Sequence, residues 1–171
     1  MAAKKTKASA KKPAVKKAAA APKKKAAAPK KSSVASKAKG DGTRAKPWQL
    51  TTPSGGSAFE AFRDEALDPP ALVVRVGKTE LRYQLRCLDD LRAMLKKHGD
   101  WMLLGGADEQ KPAADGTVES WGRSPKNPVG GWYGLKKGLR GRFGVYVPPV
   151  LGALGWAEVE QNPKNNRMRA T

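Results

Sequence analysis

The stretch LVVRVGKTELRYQL, residues 72–85, decides the fold. LVVRV and TELRYQL flank Gly77-Lys78, and two strand-like runs around a two-residue Gly-X step predict a β-hairpin. Upstream, Ser57-Ala58-Phe59-Glu60 reads as a capping box, with Ser57 at the N-cap and Glu60 three positions on. Phe59, Phe62 and Ala66 then predict the buried stripe of a short helix, stopped by Pro69-Pro70. The folded part is expected to begin near Trp48, and the turn-rich Thr51-Thr52-Pro53-Ser54-Gly55-Gly56 reads as a linker or entry loop.

Downstream, Leu88, Leu91 and Leu95 share one face of a second predicted helix. Asp89-Asp90 lie in its first turn, Lys96-Lys97-His98 in its last, and Gly99 follows. That charge order complements the helix dipole at both ends. Residues 105–131 are loop-rich, with one helical turn expected around Thr117–Trp121. Trp121 and Trp132 are expected to pack inward; the alternative is stacking on nucleic-acid bases. Strands and helices are therefore mixed in one domain of about 124 residues, an α+β class.

The last third is strongly basic, with nine Lys/Arg and two acids in residues 120–171. Lys136, Lys137, Arg140 and Arg142 cluster in GLKKGLRGRF, where Gly134, Gly138 and Gly141 would let backbone amides approach a phosphate. In VYVPPVLGALGWAEVEQNPKNNRMRAT, Pro148-Pro149 suit the first turn of a helix and Gly155 its end. WAEVEQ and NRMRAT flank Asn162-Pro163-Lys164-Asn165, a strand–turn–strand pattern. A short helix, a glycine and a basic hairpin resemble the second half of a winged helix-turn-helix domain, about residues 130–171. LGWAEVEQNPKNNR is similar to the helix-to-wing passage of the MarR-type regulators. The resemblance implies that Lys164, Asn165, Asn166, Arg167 and Arg169 are wing residues near phosphates or the minor groove. One departure stands out. A recognition helix presents polar side chains to base edges, and PPVLGALG offers none, with only Tyr146 just before it.

Charge is more uneven still over the whole chain. Residues 1–47 hold 16 of the 34 basic residues and one acid, Asp41, while all 11 aromatics lie later. A segment without aromatics and with this much like charge cannot bury enough apolar surface to offset its ordering entropy, so residues 1–47 are expected to form a disordered tail. Lysine doublets and triplets recur at Lys4-Lys5, Lys11-Lys12, Lys16-Lys17, Lys23-Lys24-Lys25 and Lys30-Lys31. Pro13, Pro22 and Pro29 cut the alanine-rich stretches into pieces too short to be helical alone. Fully extended, 46 residues reach roughly 150 Å. Lysine is a mobile point charge, where arginine would give planar bidentate readout, so the tail suits phosphate neutralisation rather than base recognition. The units AKKP, APKKK and AAAPKK resemble the tails of eukaryotic linker histones and of bacterial histone-like proteins. That resemblance implies condensation of nucleic acid.

Other classes lack their signatures. No run approaches about 18 apolar residues, so no membrane span is expected. The lysines precede no signal-peptide apolar region. Cys87 has no cysteine partner, so neither a disulfide scaffold nor a Cys/His zinc site is expected. His98 lies 11 residues from Cys87, about 16 Å along a helix, too far for a catalytic couple. No Walker phosphate loop is present. The carboxylate pairs Asp89-Asp90 and Asp108-Glu109 read as helix-start and loop charges. The chain is expected to be no enzyme and to carry no metal or cofactor.

The sequence thus predicts a histone-like, nucleoid-associated protein that binds DNA without sequence preference. The Ala, Gly and Arg content fits a GC-rich bacterial genome, so the expected place is the bacterial cytoplasm and nucleoid, with the nucleus as the eukaryotic counterpart. A protein-interaction module tethered by the tail and an RNA- or ribosome-associated factor are the alternatives, with the oligomeric state left open.

Overall fold

The computed structural model describes residues 38–171, and the tail lysines from Lys4 to Lys31 lie outside the described residues. The fold is α+β. Four antiparallel strands come first: β1 (Trp48–Thr51), β2 (Ala58–Asp64), β3 (Ala71–Val76) and β4 (Thr79–Gln84), in sheet order β1-β2-β3-β4. Helix α1 (Cys87–His98), strand β5 (Met102–Leu103), the single turn α2 (Val118–Trp121) and helix α3 (Phe143–Ala153) follow. Strands β6 (Ala157–Val159) and β7 (Arg167–Ala170) close the chain in a second antiparallel sheet ordered β5-β7-β6.

The predicted hairpin forms as β3–β4. Val76 opposes Thr79, and Gly77 takes the left-handed conformation that the turn demands. Helix α1 also forms as expected. Leu88, Leu91 and Leu95 are buried, and Gly99, left-handed, donates its N–H to the Leu95 carbonyl. The single helical turn is α2, where the Thr117 side chain accepts the Ser120 N–H.

The helix expected over 57–68 is instead strand β2. The spacing of Phe59 and Phe62 suits a helix face, but these rings enter opposite sides of a sheet. Phe59 and Ala61 join the main core, whereas Phe62 packs with Ala71 and Val73 on the outer face. There the guanidinium groups of Arg44 and Arg75 cover its ring at 5.5 and 4.8 Å. With both faces buried, the two-residue period of a strand no longer appears as polar–apolar alternation. Ser57 closes the β1–β2 turn, its carbonyl accepting the Thr52 N–H at 2.9 Å. Of the two readings, linker or entry loop, the loop holds: the residues after Thr51 form the turn that joins β1 to β2.

The folded part also starts earlier than Trp48. Lys39 pairs with Gln49, the Gly42 carbonyl accepts the Arg63 N–H at 2.9 Å, and Arg44 ion-pairs with buried Asp64. Residues 38–47 thus belong to the domain.

Helix α3 runs through the middle of the core. Phe143, Tyr146, Val147, Val150 and Leu151 are buried, with Tyr146 edge-on to Phe59 at 5.3 Å. The helix begins at Phe143, five residues before the expected start, so Pro148 and Pro149 lie inside it. The early turn holds because its aromatic residues are anchored in the core and because the buried Glu119 carboxylate accepts the Gly144 N–H at 2.7 Å.

Candidate nucleic-acid interface

Three of the four arginines singled out in the last third are ion-paired, Arg140 being the exception. Arg142 is bonded to Asp108 at 2.6 Å, Arg167 to Glu160 at 2.6 Å and Arg169 to Glu158 at 2.9 Å. These arginines are paired inside the fold. The Arg142 guanidinium keeps the Asp108 carboxyl below the ordinary carboxylate range, and Arg167 does so for Glu160. Arg167 and Arg169 also sit over the Trp101 ring, at 5.3 and 4.8 Å. The expected strand–turn–strand is present as β6–β7, but its outward face is a ladder of Arg–Glu pairs.

Asn166 is buried and clips the hairpin turn shut. Its Oδ1 accepts the Asn162 N–H at 2.6 Å and its Nδ2 donates to the Asn162 carbonyl at 2.7 Å. Asn165 takes a left-handed conformation at the tip, and Lys164 beside it is exposed. Lys136 and Lys137 are exposed as well, whereas Arg140 is half-buried, with its backbone N–H donated to Glu109 Oε2 at 3.1 Å.

The glycines of the basic loop do other work than expected. A Cβ on Gly134 would lie 2.6 Å from Arg140 Cα, and one on Gly141 would lie 2.5 Å from the Glu109 nitrogen. Both are needed for backbone-to-backbone packing within the domain, which leaves only Gly138 on an open surface.

The tryptophans follow the same inward logic. Trp121 stacks among Tyr133 and Phe143, with ring centroids at 5.4 and 6.2 Å. Trp132 is half-buried beneath the Arg123 guanidinium at 4.5 Å, Trp156 beneath Arg92 at 4.6 Å, and Trp48 beneath Arg63 at 5.0 Å. Trp132, Trp156 and Trp48 thus each carry one of the protein's own guanidinium groups over the ring, where a base would stack. Tyr146, expected just ahead of the last helix, lies within α3 and is buried.

The result is a division of labour that sequence reading missed. All eight ion pairs among the described residues use arginine, and none uses lysine. The domain's lysines, Lys136, Lys137 and Lys164 among them, keep their charge unneutralised. The signal lay in residue choice: arginine dominates where a planar fork must meet a carboxylate or a ring, and lysine where a charge is held in solvent.

Cys87 lies buried at the start of α1, where burial pushes its thiol up, and exposed His98 ends the same helix. Among the described residues no His, Cys, Asp and Glu side chains gather into a metal-binding group, and no helix is long and apolar enough to cross a membrane. No curated protein and no solved structure matches the chain. Residues 40–171, the β-sheet, the helices and the closing hairpin together, match the Family of unknown function (DUF6855), and the chain belongs to that family.

Proposed function

We propose that this protein is a histone-like, nucleoid-associated DNA-binding protein that neutralises phosphates without reading sequence and so compacts DNA. The observation that carries the reading is the charge division. Among the described residues eight of the eleven arginines are ion-paired with carboxylates and no lysine is, and residues 1–37 add 13 more lysines to that lysine charge. Residues 1–37 contain no acid at all. Binding is driven by counterion release, and a chain with two cationic regions can hold two duplex segments together. The winged-helix likeness contributes a second contact through Lys164 at the hairpin tip, with no base readout from the buried helix α3.

The test is the salt dependence of binding to one random duplex. With about eight phosphates engaged, log K falls against log[salt] with a slope near −7. Deleting residues 1–37 should remove most of that slope and abolish compaction. Unchanged affinity, slope and compaction after the deletion would overturn the proposal. Preferential competition by structured RNA at equal salt would move the ligand class to RNA.

One observation favours the protein-interaction alternative. Leu103, 45% exposed, lines a cleft of about 490 Å³ with Val145, Pro53, Pro112 and Pro163, and Lys164 is its charged residue. Under the alternative, Leu103→Ser disrupts chromosome organisation in cells while leaving DNA affinity intact; under the first reading it alters neither.

A further inference from the structure

We infer that Lys78, Lys136 and Lys137 form one phosphate-contact site on the folded domain, at the turn end of the four-stranded sheet, taking the sugar–phosphate backbone of duplex DNA. The inference rests on the DNA-binding reading and assigns that reading a place on the fold.

The juxtaposition comes from the free edge of β4. Residues 133–135 run antiparallel along it: Gln84 donates its N–H to the Tyr133 carbonyl at 2.9 Å, Leu135 donates to the Arg82 carbonyl at 2.8 Å, and Tyr83 opposes Gly134. Continuing that register carries Lys136 and Lys137 toward the Gly77-Lys78 turn. Thr79 and Gly138 line one small cleft of about 220 Å³. Lys78 adjoins the first of these residues and Lys137 the second, so the two lysine-bearing turns meet there.

The lysine turn is held from both ends. The Tyr83 hydroxyl donates to the Gly141 carbonyl at 2.9 Å, and Leu139 donates its N–H to the Lys136 carbonyl at 2.9 Å. Three exposed ammonium groups are thus presented on an ordered frame, which lowers the entropic cost of binding.

Two of the surrounding carboxylates are already paired with arginine. Glu80 is bonded to both Arg75 and Arg82, Asp108 to Arg142, and Glu109 accepts the Arg140 N–H. Glu80 and Asp108 are thereby matched by arginine charge, while Glu109 turns one oxygen to the Arg140 backbone N–H. Mobile ammonium groups without a planar fork suit phosphate oxygens better than base edges.

The experiment is amine-acylation footprinting of the full chain by mass spectrometry, with and without a random duplex of about 30 base pairs at low salt, near 50 mM. Lys78, Lys136 and Lys137 should react at least about threefold more slowly with DNA, while Lys96, Lys97 and Lys126 keep their rates. Protection of the tail lysines with no change in the trio would overturn this site and leave the tail reading standing. Protection of neither would overturn both. Equal protection of every domain lysine would also overturn the site, since no face would be preferred. In parallel, replacing the trio by glutamine in the full chain should make the salt slope shallower by about 3; an unchanged slope would count against it.

Discussion

The Glu119 carboxylate accepts the Gly144 N–H at 2.7 Å, so a side chain from α2 places its negative charge at the N-terminus of α3. A helix N-terminus is where an external phosphate would otherwise be attracted. Here the position is filled from within. Glu119 is fully buried and also bonds Arg123, which in turn donates to the Lys111 carbonyl at 2.8 Å and covers Trp132. One ion pair therefore fixes the start of α3 and the long loop ahead of α2.

Removing either partner leaves an uncompensated buried charge. Glu119→Ala and Arg123→Ala are each expected to cost about 3–5 kcal/mol. The double variant should cost at least about 1 kcal/mol less than the sum of the two. Urea unfolding of the four proteins gives the coupling energy; strict additivity would show that the pair does not act as a unit.

Gly144 is held by space rather than by dihedral angle. A Cβ there would lie 2.2 Å from the Leu104 carbonyl oxygen. Gly144→Ala is expected to destabilise by about 3 kcal/mol, because backbone must move. Gly155, left-handed but facing open space, should lose only about 1 kcal/mol on the same change. Thermal melts of the two variants compare crowding with strain directly.

Two glutamates give acid responses of opposite sign. Hydrogen bonding to Arg167 lowers the Glu160 carboxyl, so its contribution is full above roughly pH 4.5 and is lost as pH falls through the lowered value. Burial raises the Glu119 carboxyl, so the folded state binds that proton more tightly than the unfolded chain and gains from acid. Glu160→Gln should therefore cost about 0.5 kcal/mol near pH 7, a figure kept small by solvent screening, and nothing near pH 2.5. Denaturant midpoints at the two pH values check this.

The Arg–Glu ladder on β6–β7 should be mute toward DNA. Arg167→Gln with Arg169→Gln is expected to leave the salt slope within about 0.5 of the parent, since paired charges release few counterions. Stability should drop instead, through lost pairs and lost cover over Trp101. A slope shallower by about 2 would mean that both arginines leave their glutamates for phosphates.

The hairpin and α1 were legible because each is written in consecutive residues: Gly77-Lys78 between strand-like runs, and leucines in helical register between capping charges. Strand β2 was misread because Phe59 and Phe62 feed two different cores. Helix α3 was started too late because what supports its first turn, Glu119, lies 25 residues away in sequence. The candidate site was half legible for the same reason. Lysine and arginine positions are visible in the chain, but the neutralisation of Arg142 by Asp108 spans 34 residues and that of Arg169 by Glu158 spans 11. Only the fold brings those charges together.

The pairing of arginine with carboxylates, while the described lysines stay unpaired, has a consequence for how such a chain can change over generations. Lysines can be gained or lost singly with little effect on folding, so binding strength is free to drift through their number. Arg123, Arg142, Arg167 and Arg169 have no such freedom, because each answers to a particular carboxylate. Within the family, lysine counts should vary widely, while these arginines and their acidic partners should be kept or exchanged as pairs.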